Sequence, residues 1–185
     1  GQVAHPSQLL VRFHPIYVEE DGTGKTILDH NENILNELIL EYGELVKFWI
    51  PKRPHMNQQD SLSMSDMLDM NNAIRVSDLV IQEYSTLILE SAIFDKPLLN
   101  MSIYYYGNLM HFTHLKHVFK YKSLRDVRTF EEFSKVTNNY LSDPSIDQQQ
   151  RRSLFENEVA MNSGAAGSNI GSYILEQLNL FISIL

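Results

Sequence analysis

The residues best suited to chemistry in this chain are two hydroxyls and one carboxylate that lie between two apolar segments. Ser85 and Thr86 follow a buried-strand pattern at residues 79–81, and Glu90 comes four residues after Thr86. If a helix begins near Ser85, Thr86 and Glu90 share one of its faces, about 6 Å apart along the axis. Free N–H groups and hydroxyls at the start of a helix can hold a phosphate, and a carboxylate one turn further on can accept both hydroxyls of a ribose. The spacing therefore predicts a site for a phosphate with a ribose beside it.

A simpler interpretation of the same turn is helix capping. Ser and Thr are favoured N-cap residues, so capping alone could explain Ser85 and Thr86. Glu90 favours the functional interpretation, because a buried acid on an otherwise apolar helix needs a partner. We therefore expect ligand contact at all three residues.

Arg12 and His14 form a second group of candidate residues. In an extended strand they share one face, and His14 lies at the carboxyl end, where Pro15 ends strand pairing. An arginine within a strand needs an anionic partner. Two interpretations stay open: an internal ion pair with Glu90 or Asp78, or phosphate contact by Arg12 with His14 as phosphate ligand or acid–base group.

Two further patterns suggest sites but are better explained otherwise. Residues 22–26 (GTGKT) look like half of a phosphate-binding P-loop, but Glu19 stands where the full pattern needs a glycine. We expect a surface turn there. The histidines His111, His114 and His117 have a spacing that suggests a metal, but no carboxylate lies among them, so we expect a lid or packing role and no metal site.

The small-residue stretch at 163–171 (SGAAGSNIG) precedes a final apolar helix predicted at 173–185. Its first residues, Ser163 and Gly164, could cradle a phosphate where that helix begins. A close helix contact or a plain loop would use the same composition, and both alternatives stay open.

Apolar runs and helical periodicity alternate along the chain. Strands are predicted at 9–13, 46–50, 79–82, 98–101 and 117–119. Helices are predicted at 34–42, 64–74, 86–94, 129–141, 146–161 and 173–185. Because the strands are apolar on both faces, we expect an α/β protein with a three-layer, Rossmann-like parallel sheet flanked by helices and a helical C-terminal part. Ligands of such sheets bind at the carboxyl ends of the strands, where Arg12, His14 and residues 82–86 are expected.

Length and composition narrow the functional classes. The 185 residues suffice for one domain spanning residues 1–185, and the net charge of −8 argues against general nucleic-acid binding. Cysteine is absent from the sequence, which excludes disulfides and thiolate metal sites. No apolar run reaches the roughly 20 residues that cross a bilayer. Because the chain begins at Gly1 and soon enters a buried strand, we expect a piece of a longer protein.

A family resemblance rests on several short motifs. They are Arg12-Phe13-His14-Pro15, Ser77-Asp78-Leu79-Val80-Ile81, Tyr84-Ser85-Thr86, Glu90 and Lys96-Pro97. Together with a Gly/Ser turn before the last helix, they resemble the C-terminal domain of GT-B glycosyltransferases over most of residues 9–178. The chain is most similar to the CDP-glycerol glycerophosphotransferase and teichoic-acid polymerase group and to related surface-polysaccharide transferases.

The resemblance implies one half of a GT-B fold that binds the nucleotide diphosphate of an activated donor. It implies His14 as the catalytic residue and a donor-binding set made of Arg12, Tyr84, Ser85, Thr86, Glu90, Ser163 and Gly164. Helix ends and cationic side chains stabilise the leaving diphosphate in such sites, so neither a metal nor a cofactor is expected.

The same resemblance implies the partners and the location. The ligand would be a nucleotide-diphosphate sugar or a CDP-glycerol-like donor, and a missing N-terminal domain would hold the acceptor. We therefore expect the isolated chain to bind donor weakly and not to turn over. The full-length enzyme would be cytoplasmic, with peripheral association at the inner face of the membrane left open. Two alternatives remain, a nucleotide-sugar 2-epimerase half and a non-enzymatic Rossmann-like interaction module.

Overall fold

The computed structural model describes residues 3–51, 64–103, 115–160 and 164–182. This part of the chain alternates strands with helices and is therefore of the α/β class. Its strands are β1 (Leu9–Arg12), β2 (Val46–Trp49), β3 (Val80–Gln82), β4 (Leu98–Met101) and β5 (Arg125–Val127). Its α-helices are α1 (Ile27–His30), α2 (Glu32–Tyr42), α3 (Met64–Val76), α4 (Leu87–Ile93), α5 (Lys116–Phe119), α6 (Phe130–Ser142), α7 (Gln148–Leu154) and α8 (Ala166–Ile182).

The chain divides into two compact units, Gln2–Val76 and Ser77–Leu185. In the first unit β1 and β2 pair in parallel, in a register that runs from Leu9 opposite Val46 to Arg12 opposite Trp49. The helix α2 connects the two strands and ends at Gly43, whose φ of +53° lies in the left-handed region. A glycine adopts that conformation at little steric cost, and so it can end the helix. The predicted stop of this helix at Gly43 is confirmed.

The second unit contains the three-stranded parallel sheet β3-β4-β5 and most of the buried core. The central strand β4 is buried at all residues except Met101, with Leu98 and Leu99 at most 1% exposed. Helix α4 provides the crossover between β3 and β4, and α5 lies in the connection from β4 to β5. Leu115, the N-cap residue of α5, and side chains from α5, β5, α6 and α7 complete this core, among them Val118, Val127, Tyr140 and Leu154.

The strands predicted at 9–13, 46–50, 79–82 and 98–101 are confirmed to within a residue or so. The predicted strand at 117–119 is wrong, because those residues lie in the helical turn α5, which buries only Val118. The fifth strand is β5 instead, whose three residues include an exposed arginine and a half-buried aspartate. Because β5 is short and charged, the sequence has no apolar run there that would predict a strand.

Two helices differ from their predicted bounds by more than two residues. The helix α8 begins at Ala166, so most of the small-residue stretch at 163–171 is helical despite the helix-weakening effect of glycine. The predicted helix at 146–161 is divided into α7 and a π-helical segment, Phe155–Val159. No helix within the described ranges combines the length and the apolarity needed to span a bilayer.

Candidate functional site

The turn after β3 carries Tyr84, Ser85 and Thr86 into α4. Tyr84 has a φ of +49°, a left-handed conformation that is uncommon for a bulky side chain. Thr86 is the N-cap residue of α4, but its side chain makes no capping hydrogen bond. The Ser85 Oγ accepts a hydrogen bond from the Leu87 N–H at 3.2 Å. Capping therefore accounts for the Ser85 hydroxyl, whereas the Thr86 side chain is exposed and makes no capping bond.

A network of hydrogen bonds holds this turn against the neighbouring strands. The Tyr84 N–H donates to Asn100 Oδ1 at 2.8 Å, and the Tyr84 hydroxyl donates to Ser102 Oγ at 2.7 Å. The Asn100 Nδ2 donates to Ser102 Oγ at 3.0 Å and to Asp126 Oδ1 at 2.8 Å. The Ser102 hydroxyl also donates to Asp126 Oδ1, and Arg128 Nε lies 3.1 Å from Asp126 Oδ2.

No motif in the sequence predicts a role for Asn100, Ser102 or Asp126. Asn100 is fully buried in β4 and lies in register with Asp126 on β5. Both are polar residues inside short strands of a buried sheet, where polar side chains need specific partners. That signal was present in the sequence, but the pairing depends on the strand register, which the sequence does not specify.

Gln82 adds another polar group at the same edge of the sheet. It ends β3 in register with Asn100, is only 7% exposed, and neither amide atom has a hydrogen-bond partner within the described residues. A buried amide without partners costs free energy, and such exceptions in native proteins usually indicate a function or a bound water.

Glu90 lies on α4, one turn after Thr86, and is half-buried. Its Oε2 atom is buried without a hydrogen-bond partner among the residues that the structure describes. Burial raises the pKa of the Glu90 carboxyl above its ordinary value of 4.5. Glu90 therefore has the property that favours ligand contact, since one of its carboxylate oxygens is buried and unpaired within the described residues.

The raised pKa of Glu90 makes the stability of the protein depend on pH. Because the folded state retains this proton to higher pH than the unfolded state, the free energy of unfolding falls as pH rises above about 4.5. The change Glu90→Gln removes this contribution, so the stability of the variant relative to the parent should rise between pH 4 and pH 7. The gain should be small, because solvent screens a half-exposed group. Urea unfolding at several pH values checks this, and a constant difference would contradict it.

Arg12 has an internal anionic partner. Its Nη2 lies 2.6 Å from Oδ2 of Asp66, a buried residue of α3, and its guanidinium lies 5.0 Å from the centre of the Trp49 ring. The Arg12 Nε is buried with no partner among the described residues. The partner is therefore Asp66 and not Glu90 or Asp78, the carboxylates expected from the sequence, because nothing in the local pattern indicates a contact with α3.

His14 lies at the carboxyl end of β1, as predicted, and its side chain is exposed. Its Nδ1 accepts a hydrogen bond at 3.2 Å from the Ile16 N–H and so caps the short 3-10 helix Pro15–Val18. In the neutral ring this contact assigns the hydrogen to Nε2, which makes Nε2 a donor.

Three of the remaining candidates lie outside the described residues, namely Ser163, His111 and His114. Gly164 is exposed just before α8, and its φ of +75° is strained for any other residue. His117 lies at the surface with its Nε2 3.9 Å from Glu158 Oε2. Within the described ranges, no three histidine, aspartate or glutamate side chains form a group that could hold a metal ion.

The expected surface turn at 22–26 is confirmed. Asp21 Oδ1 accepts hydrogen bonds from the Thr23 N–H at 2.7 Å and from the Thr23 hydroxyl at 2.6 Å. These bonds, with a further one between the Asp21 carboxylate and His30, hold the pKa of Asp21 well below its usual value. An aspartate whose charge is stabilised in this way would repel a phosphate.

Within the second unit, the structure thus brings Tyr84, Ser85, Thr86 and Glu90 together on one turn and the helix that it opens. Within the first unit, Arg12 and His14 lie at the end of one strand. A scan of the chain against protein-family models and a search of curated proteins found no match.

Proposed function

We propose that this chain is the donor-binding half of a GT-B glycosyl- or glycerophosphate-transferase that acts in surface-polysaccharide synthesis. The observation that carries the proposal is the buried, unpaired Oε2 of Glu90, four residues after Thr86. A nucleotide diphosphate would supply the missing partner, since its ribose hydroxyls donate to the carboxylate. The described α/β class is consistent with one Rossmann-like half of a GT-B enzyme.

The phosphates would contact the start of α4. The Thr86 hydroxyl makes no capping bond, so it can donate to a phosphate oxygen, and the Ser85 hydroxyl can donate while its oxygen accepts from Leu87. Tyr84 would act through the shape of the turn. Ser163 and Gly164, which precede α8 in the sequence, would contact the phosphates.

Arg12 and His14 would act on the phosphates or on the transferred group. The Nε2–H of His14 suits donation to an oxygen of the leaving group, in a catalytic role. The acceptor would be held by an N-terminal domain of a longer protein, so we expect weak donor binding and no turnover by this chain. The full-length enzyme would be a cytoplasmic protein, with attachment to the inner face of the membrane as an alternative.

One observation favours a second candidate, a non-enzymatic interaction module. The ion pair between Arg12 and Asp66 explains a charged residue within β1 without any ligand. In that case the unpaired atoms of Glu90 and Gln82 would be satisfied by buried water.

The proposal is tested by titrating the ¹⁵N-labelled chain with UDP, CDP and GDP. We expect concentration-dependent amide shifts at Ser85, Thr86 and Glu90 with at least one nucleotide, and small shifts at exposed residues of α6 such as Lys135. Free ribose and inorganic phosphate serve as control ligands. Unchanged spectra at millimolar nucleotide would refute donor binding and favour the interaction module.

A further inference from the structure

We propose that Asn100, Ser102 and Asp126 are positioning residues that preset the Tyr84–Thr86 turn for donor binding. The inference rests on the proposed function for its ligand, but the positioning itself concerns only the hydrogen-bond network. None of the three residues needs to touch the ligand. They act through Tyr84, whose backbone and hydroxyl they hold at the same time.

The network has to fix a conformation that the turn would not adopt by itself. A tyrosine with a φ of +49° lies in a region that side chains with a Cβ rarely occupy, and such residues persist only where the surroundings over-determine them. Here two bonds to separate residues meet that need. Asn100 Oδ1 fixes the Tyr84 N–H, and Ser102 Oγ fixes the phenol at the other end of the same residue.

The roles of donor and acceptor in the network leave only one arrangement. Because Asn100 Oδ1 accepts from Tyr84, its Nδ2 must face Ser102 and Asp126. Ser102 Oγ accepts from Tyr84 and Asn100 and therefore donates its own hydrogen to Asp126. Asp126 ends the chain of bonds as an acceptor only, and Arg128 balances its charge. A network without alternatives holds its geometry more firmly than one in which amides can flip.

This direction of bonding suggests a paired substitution. Asn100→Asp keeps the acceptor for the Tyr84 N–H but places a second carboxylate against Asp126, and like charges at that distance repel. Adding Asp126→Asn restores a donor opposite the new carboxylate, with the direction of that bond reversed. The single variant should therefore disturb the turn, and the double variant should recover it.

The first readout needs no ligand. We expect the Tyr84 amide hydrogen to exchange slowly in the parent, at least tenfold faster in Asn100→Asp, and again slowly in the double variant. Fast exchange at Tyr84 in the parent, or equal exchange in all three proteins, would overturn the proposal. Asn157→Asp makes the same chemical change on an exposed residue and should leave Tyr84 unaffected.

The second readout is affinity for CDP or UDP, whichever shifts the spectrum of the parent. Asn100→Asp should weaken binding about tenfold, equivalent to about 1.4 kcal/mol, and the double variant should return to within about threefold of the parent. If Asn100→Asp does not fold, the variant Tyr84→Phe replaces it. This change removes the hydroxyl that donates to Ser102 and keeps the backbone N–H, so it should weaken binding to a smaller extent.

The variant Val118→Ala distinguishes a positioning role from a purely structural one, because it truncates a buried core residue outside the network. It should lower the melting temperature and leave nucleotide affinity unchanged. Equal affinity losses in Val118→Ala and Asn100→Asp would overturn a positioning role. A parent that binds no nucleotide would refute the proposed function, whereas the exchange of the Tyr84 amide would still decide whether the network holds the turn.

Discussion

The variant Glu90→Gln should bind nucleotide diphosphate about tenfold more weakly than the parent while its free energy of unfolding stays within about 1 kcal/mol. A carboxylate can accept both ribose hydroxyls, whereas an amide offers one acceptor oxygen and an amino group that cannot accept. Losing a hydrogen bond to a charged group costs about 1.5–3 kcal/mol. Stability should be kept because burial already opposes the charge of Glu90. Calorimetric titration and urea unfolding at pH 7 measure the two quantities.

The matched control for this prediction is Glu176→Gln, which makes the same change at an exposed position of α8. It should alter neither affinity nor stability. The opposite result for Glu90→Gln, unchanged nucleotide binding with a large loss of stability, would indicate a structural acid and support the interaction module.

The variant Arg151→Met should lose about 3 kcal/mol of stability. Arg151 is 2% exposed on α7, and its guanidinium donates to Asp95 Oδ1 at 2.8 Å, to the Ile146 carbonyl at 2.6 Å and to the Pro144 carbonyl at 2.8 Å. Methionine fills much of the same volume but donates to none of them. A hydrogen bond to a charged group contributes about 1.5–3 kcal/mol, and the Ile146 and Pro144 carbonyls both lose such a bond, while Asp95 is partly exposed and can be hydrated. Urea unfolding followed by circular dichroism gives the difference.

The neighbouring residue provides the comparison. Arg152 is 76% exposed and pairs with Glu156 one turn along the helix, so Arg152→Met should change stability by less than about 0.5 kcal/mol. Similar unfolding midpoints for Arg151→Met and the parent would show that the buried guanidinium contributes little to the fold.

The parts of the fold that were predictable from the sequence are those set by local signals. The strand β4 was predicted to the residue because its apolar run follows Pro97 directly. The end of α2 was predicted because Gly43 stops the helical pattern. The turn at Ser85 and Thr86 was predicted because hydroxyl residues separate an apolar strand from an apolar helix.

The parts that were missed depend on contacts distant in sequence. The partner of Arg12 lies 54 residues further along the chain, and Asn100 lies 26 residues from Asp126. Arg151 occurs in a polar segment that looks like a solvated helix face, yet it is buried through contacts with the turn at Asp95. No periodicity or local spacing encodes such pairs, because they arise only when strands and helices take their register.

The most direct test of the central claim is a thermodynamic cycle on Glu90 and the ribose. It uses the nucleoside diphosphate that binds most tightly and its 2′,3′-dideoxy analogue, each titrated calorimetrically into the parent and into Glu90→Gln. If the carboxylate holds the diol, removing the hydroxyls should weaken binding about tenfold in the parent and hardly at all in the variant, a coupling of about 1.4 kcal/mol. Equal losses in both proteins would show that Glu90 does not contact the ribose and would contradict the donor-binding account.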